Sequence, residues 1–193
     1  GHAGEEALND CMRGHGGFDH NIQTIRIVTL LENKYYNFNG LNLTFETLDG
    51  LIKHNGPVKN INLYKKVLKK DLFNKRIILN TFPSLEAQVA AISDDIAYNN
   101  HDLEDGLRAG LFTIKEFSSI SIISKLINKH IKNIKNFRRE IIISQIVRDL
   151  INLMVVDVIN TTNKNLRESN PQSINDIYAQ DRLIVDFSDK MKI

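Results

Sequence analysis

Apolar residues recur along most of the chain at helical spacing. The clearest case is the stretch 84–110, where Leu85, Val89, Ile92 and Ile96 form one apolar seam. The same criterion, together with capping residues and glycine stops, predicts further helices. These cover about 19–32, with Leu31 among the inward positions, 44–55, with Thr44 as a cap, 117–139 and 140–160. Asp105-Gly106 should mark a bend after the stretch 84–110, and a polar and looser segment follows from 161 onward. The pattern predicts an all-α protein.

A polar face accompanies the apolar seam of 84–110. Asp94, Tyr98 and Asp102 are four residues apart and should stack on one side of the helix. Two carboxylates and a phenol can supply a metal ligand and hydrogen-bond partners. From spacing alone, an ordinary solvated face is the favoured interpretation.

Composition narrows the class of protein. The chain has 193 residues, 42% hydrophobic and 25% charged, which suits one soluble domain. A net charge of +2 is too small to favour nucleic acid as the main partner. The lone cysteine, Cys11, fits a reducing compartment. Polar residues interrupt the longest apolar stretch, 141–159, so we expect no membrane span and a cytoplasmic protein.

Three sequence blocks carry a resemblance to a known family. They are Gly-His-Ala-Gly-Glu at 1–5, Gly-Gly-Phe-Asp-His-Asn at 16–21, and the segment 93–110 beginning Ser-Asp-Asp-Ile-Ala-Tyr. In this order they resemble the HD-superfamily deoxyguanosinetriphosphate triphosphohydrolase-like proteins. The resemblance implies an incomplete HD-domain-like helical bundle, cut at both ends. Residues 1–160 would be a partial catalytic domain and 161–193 the start of its C-terminal helical region.

The resemblance also implies a reaction and a cofactor. The family hydrolyses a deoxynucleoside triphosphate (dNTP) to a deoxynucleoside and triphosphate, using a divalent metal (Mg, Mn or another transition metal). Asp94 corresponds to the last ligand of a His…His-Asp…Asp site, whereas the nearby His101-Asp102 pair is not the metal-binding one. The other three ligands are absent from this sequence, so we expect these 193 residues alone to be inactive.

The remaining site residues follow from the same resemblance. Glu5 would be the proton acceptor, and His2 an acid or a phosphate contact. His20, following Asp19 as an N-cap, would contact phosphate at a helix start. Tyr98 and Asp102 would bind the deoxyribose. This hypothesis requires Asp94 to face the amino-terminal pair rather than bulk solvent.

Alternatives from other classes stay open. The chain could be a non-catalytic remnant or a nucleotide-binding subunit, or an HD phosphohydrolase acting on a monophosphate or cyclic nucleotide. A basic stripe could bind nucleic acid, although a solvated face is the default; its members are Lys125, Lys129, Lys132 and Arg139. The family commonly forms homo-oligomers. His54, in Lys-His-Asn-Gly-Pro, matches the family without an assigned chemistry.

Overall fold

The computed structural model describes residues 2–62, 64, 77–117, 121–131 and 136–192. Within these ranges the regular structure is helical, and Tyr35 and Phe38 form an isolated bridge. The all-α prediction is confirmed. None of the described helices is both long and apolar enough to cross a bilayer. The α-helices are α1 His2–Cys11, α2 His20–Arg26, α3 Phe45–Ile52, α4 Leu85–Ala109, α5 Ile114–Phe117, α6 Ser121–Ile131, α7 Arg139–Ser169 and α8 Ile174–Tyr178.

The chain divides into two compact units. The first comprises Gly1–Gln88 and Gln172–Arg182, and the second Val89–Pro171 and Leu183–Ile193. Each has its own apolar core. The first core contains Ile22, Ile25, Leu48, Ile52, Tyr64, Ile77 and Leu79. The second contains Leu107, Ile114, Ile123, Ile127, Ile142, Ile143, Ile146, Val147 and Leu150.

Side-chain caps start α2 and α3 as predicted. The Asp19 carboxylate accepts from the Ile22 amide, and the Thr44 hydroxyl accepts from the Thr47 amide. The inward position expected for Leu31 is wrong, because that side chain is exposed. A π-helical turn, Ile27–Leu31, continues from α2 and rotates the later residues away from the expected face.

The long helix α4 matches the predicted element, but its buried line is shifted. Ile92 and Ile96 are buried as expected, whereas Val89 is exposed. Gln88 and Asn100 complete the line, since residues four apart share a face. The side-chain amide of Gln88 donates a hydrogen bond to the Pro83 carbonyl oxygen at 2.9 Å. The side-chain amide of Asn100 donates one to the Ile96 carbonyl oxygen at 2.7 Å. Burying a polar side chain is tolerated because of these bonds.

The bend expected at Gly106 is also wrong, since α4 continues to Ala109. Gly106 is buried, and a Cβ placed there would lie 2.5 Å from the Phe112 ring. The glycine is therefore required for close packing of Phe112 rather than for a turn.

Helix boundaries differ from the predictions in the second unit. The helix expected over 117–139 is described as α6, which ends at Ile131, with residues 118–120 and 132–135 outside the described ranges. The segment expected to loosen after 160 remains helical to Ser169. Asn165 is buried in this last part of α7, and its side-chain amide donates to the Ile184 carbonyl at 2.9 Å.

A partly buried ion pair joins α6 to α7. His130 Nε2 lies 2.9 Å from Asp149 Oδ2, and Lys129 Nζ lies 3.2 Å from the same oxygen. The hydrogen bond from His130 lowers the pKa of the Asp149 carboxyl below its usual 3.8. A lowered folded-state pKa stabilises the protein above the unfolded value, and this contribution is lost as pH falls through the folded value.

Asp149→Asn should therefore lower the free energy of unfolding by about 1 kcal/mol at pH 7, because the charge on this hydrogen bond is removed. The difference from wild type should narrow as the pH falls below 3.8. Urea denaturation of both proteins at pH 7 and pH 3 measures it. A difference that is unchanged at pH 3 would contradict the assignment to the charge.

Candidate active site

Helix α1 contacts the start of α2 and the residues just before it through two side chains, those of Glu5 and Asn9. Glu5 Oε1 accepts from the His20 backbone amide at 3.0 Å and lies 2.7 Å from His20 Nδ1. Asn9, one turn further along α1, accepts from the Phe18 amide at 2.9 Å. The structure thus brings together Glu5 and His20, which the sequence hypothesis placed in one site.

The helix start does not offer its backbone to a ligand in the way the sequence suggested. The Glu5 carboxylate accepts from the His20 amide and the Asp19 carboxylate from the Ile22 amide. These protein carboxylates take the position that an anion would occupy. A phosphate contact at this place would have to use the imidazole of His20, whose side chain is 50% exposed.

Hydrogen-bond chemistry orients the His20 ring. An ionised carboxylate only accepts, so Nδ1 carries the proton and Nε2 is the nitrogen left for other chemistry. The same argument applies to His54, whose Nδ1 lies 2.8 Å from the Leu51 carbonyl oxygen. The two rings meet edge to face, with centroids 5.9 Å apart. The sequence pattern assigned no chemistry to His54, and the structure places its ring against that of His20.

A buried ion pair anchors the residue that precedes His54. Lys53 has a side chain that is 0% exposed, and its Nζ lies 2.6 Å from Asp49 Oδ1. The ammonium also donates to the Thr81 hydroxyl at 2.9 Å and sits 4.6 Å from the centroid of the Tyr178 ring. The sequence analysis missed this cluster. An acid and a lysine four apart, flanked by Leu48 and Ile52 of the core, were the available signal.

Burial perturbs all three titratable groups of this cluster. Loss of water raises the pKa of the Asp49 carboxyl and lowers the pKa of the Lys53 ammonium, and their mutual attraction opposes both shifts. Burial and the neighbouring Asp49 charge raise the pKa of Tyr178 to about 12. The cluster is consequently a structural anchor that depends on both charges being present.

The second predicted group lies along α4. Asp94, Tyr98 and Asp102 fall within one continuous helix, so they share a face as the spacing required. All three are exposed, Tyr98 at 65%. The role of Asp94 beside the amino-terminal pair stays a prediction, because these observations describe only its own helix. The geometry of Asp94 gives no independent support to a metal role.

The described residues do not fit a complete metal site. Among them, no group of three or more His, Cys, Asp or Glu side chains is arranged to hold an ion. One exposed carboxylate cannot supply the affinity or geometry of a full ligand set. His2 begins α1, but its side chain lies outside the described part of the structure.

The basic stripe expected over 125–139 does not form one helical face. Lys125 and Lys129 are on α6, whereas Arg139 begins α7 and donates to the Leu107 carbonyl at 2.7 Å. Lys129 pairs with Asp149, and Lys132 lies outside the described residues. Arg139 therefore does not share a helical face with Lys125 and Lys129, and nucleic-acid binding by these residues stays a prediction.

Comparisons with known proteins bear on the site as a whole. A curated relative from Pelagibacter ubique is 50% identical over 190 residues, which is 98% of this chain and 51% of the relative. Relatives from Parvibaculum lavamentivorans and Bartonella henselae are 45% and 46% identical, over 99% and 100% of this chain and 49% of each relative. All three are named deoxyguanosinetriphosphate triphosphohydrolase-like protein. No family model matches the chain.

The all-α fold and these relatives point to one class, the helical triphosphohydrolase-like proteins. Within it, the resemblance to the deoxyguanosinetriphosphate triphosphohydrolase-like proteins is confirmed by near-full coverage of this chain. The chain spans about half the length of the curated relatives it matches.

Proposed function

We propose that the chain is part of a metal-dependent deoxynucleoside triphosphate triphosphohydrolase with dGTP as a substrate. The observation that carries the proposal is the Glu5–His20 pair, in a chain whose relatives are named for this activity. Those relatives are named only as triphosphohydrolase-like, so the substrate and the metal are part of the proposal. A homo-oligomer is proposed with them, on the family resemblance alone.

The proposed roles use this chain's own groups. Glu5 holds the His20 ring through Nδ1, which leaves Nε2 to contact a phosphate oxygen. The Glu5 carboxylate is the proton acceptor, and His2 is the acid or a second phosphate contact. On α4, Asp102 accepts from the sugar 3′-hydroxyl and Tyr98 packs against the sugar, while Asp94 is the single metal ligand.

The 193-residue chain alone should show no measurable turnover, because one carboxylate does not fix a metal ion. The assay is release of triphosphate from dGTP in the presence of Mg²⁺ or Mn²⁺, with metal-free buffer as the control. Turnover above the control that Asp94→Ala abolishes would contradict this prediction. It would also show that these residues assemble a working site.

A nucleotide-binding role without turnover is the second candidate, and the accessibility of the α4 face favours it. Equilibrium dialysis with dGTP tests it on the same chain. Tyr98→Ala and Asp102→Asn should weaken binding if this face recognises the sugar. Tyr36→Ala is the matched control, since Tyr36 is fully exposed and lies outside the proposed site.

A further inference from the structure

The contact between His20 and His54 carries an inference beyond the roles above. The two residues come from different elements, the first turn of α2 and the segment just after α3. Both residues are exposed, so a ligand can reach the rings. Their centroids lie 5.9 Å apart with an interplanar angle of 65°. Each ring is held by a separate protein acceptor at Nδ1.

The protein fixes which nitrogen each ring presents. The Glu5 carboxylate and the Leu51 carbonyl accept hydrogen bonds and cannot donate them. Each Nδ1 therefore carries a proton that it donates to its protein acceptor. Nε2 is the remaining polar atom of each ring. When both rings are protonated, they present two charge-assisted donors beside each other.

The position of His54 is set by the buried anchor next to it. Lys53 is fixed by Asp49 and Tyr178, which lie on α3 and α8 of the same compact unit. A ring that follows such an anchor and is tied to Leu51 has little freedom to move. This is the preorganisation expected of a binding residue rather than of a loose surface side chain.

Charge arithmetic explains why His20 alone is a poor anion site. A protonated His20 paired with ionised Glu5 has no net charge, so it offers an anion a donor but little attraction. A protonated His54 adds one positive charge at the edge of this neutral pair.

A metal site is the alternative use of two neighbouring histidines. Two nitrogens without a third ligand make a weak metal site, and no larger group of metal-ligating side chains exists among the described residues.

We propose that His20 and His54 together form an oxyanion subsite that takes a phosphate group of a polyphosphate ligand. This subsite rests on the proposed function, because it places part of the nucleotide's triphosphate. His54 is then a binding residue that acts by direct contact. His20 contributes through Nε2 while Glu5 keeps the ring in place.

The probe is inorganic triphosphate added without metal to the 193-residue chain labelled with ¹⁵N-histidine. Long-range ¹H–¹⁵N spectra should show the Nε2 signals of His20 and His54 shifting together. His54→Gln should weaken triphosphate binding by about tenfold or more, the loss expected for one charge-assisted hydrogen bond. His54→Lys should retain most of the binding, because it keeps a positive charge at the same place.

His15→Gln is the matched control, since His15 is exposed and is not one of the acceptors that hold the His20 and His54 rings. It should leave the affinity within about twofold of wild type. Shifts confined to His20, unchanged affinity in His54→Gln, or no triphosphate binding would each overturn the subsite. Retained dGTP binding would then leave the proposed function standing. Triphosphate binding without dGTP binding would overturn the proposed function instead.

Discussion

Replacing Lys53 with methionine lowers the free energy of unfolding by about 3–5 kcal/mol at pH 7, the usual result of breaking a buried ion pair. Methionine fills the space of the lysine stem but leaves the Asp49 carboxylate buried without its ammonium partner. The hydroxyl of Tyr178, 3.4 Å from Asp49 Oδ2, is too distant to compensate. Urea denaturation followed by circular dichroism measures the loss, and native-state hydrogen exchange assigns it to the first unit.

The pH dependence of that variant identifies the cause. Burial already raises the pKa of Asp49, and loss of Lys53 should raise it further. A raised folded-state pKa contributes stability below the unfolded value and loses it as pH rises through the folded value. The deficit of Lys53→Met against wild type should therefore shrink as pH falls from 7 toward 4. A deficit independent of pH would indicate a packing defect instead.

Two further variants control this experiment. Lys164→Met removes an exposed lysine 3.7 Å from Glu168, with a side chain 73% exposed, and should cost less than about 1 kcal/mol. The double variant Asp49→Leu/Lys53→Met removes both buried charges and should recover most of the stability. If the double variant is no more stable than Lys53→Met, the ion pair is not the source of the loss.

Local patterns in the sequence predicted the helices well where caps and periodicity agreed. Asp19 and Thr44 each cap the helix they were expected to cap. The predictions failed where tertiary contacts override local signals. Asp105-Gly106 is a pair typical of a turn, yet Gly106 lies inside α4, with the Phe112 ring packed against it. No local rule places that ring.

In the candidate site, too, local sequence patterns did not predict the contacts between residues far apart in the chain. Glu5 and His20 are fifteen residues apart, and only the family resemblance suggested that they share a site. The Asp49–Lys53–Tyr178 cluster was missed because Tyr178 is 129 residues from Asp49, a pairing that periodicity cannot detect. The exposure of Asp94 could not be anticipated, because the spacing defines a helical face but not what covers it.

Gly40→Ala should lower the free energy of unfolding by about 2–4 kcal/mol, because strain and overlap act at once. Gly40 is buried at φ +72°, and a Cβ would lie 2.5 Å from the Val28 carbonyl oxygen. That oxygen also accepts from the Leu41 amide at 2.8 Å, so the backbone there has little room to yield. Displacing the loop that contains Gly40, between the π-helical turn and α3, should also move α3 away from α2 and separate the His54 and His20 rings.

Gly16→Ala is the matched control for Gly40→Ala. Gly16 has φ +99° with nothing within 4 Å of a Cβ, so it carries the backbone strain without the overlap and should cost about 1 kcal/mol. Urea denaturation compares the two variants, and ¹⁵N-histidine spectra report whether the His20 and His54 signals change. Equal losses would mean that the Val28 contact contributes nothing. A larger loss for Gly40→Ala with both histidine signals perturbed would show that this glycine holds α2 and α3 in the arrangement on which the imidazole pair depends.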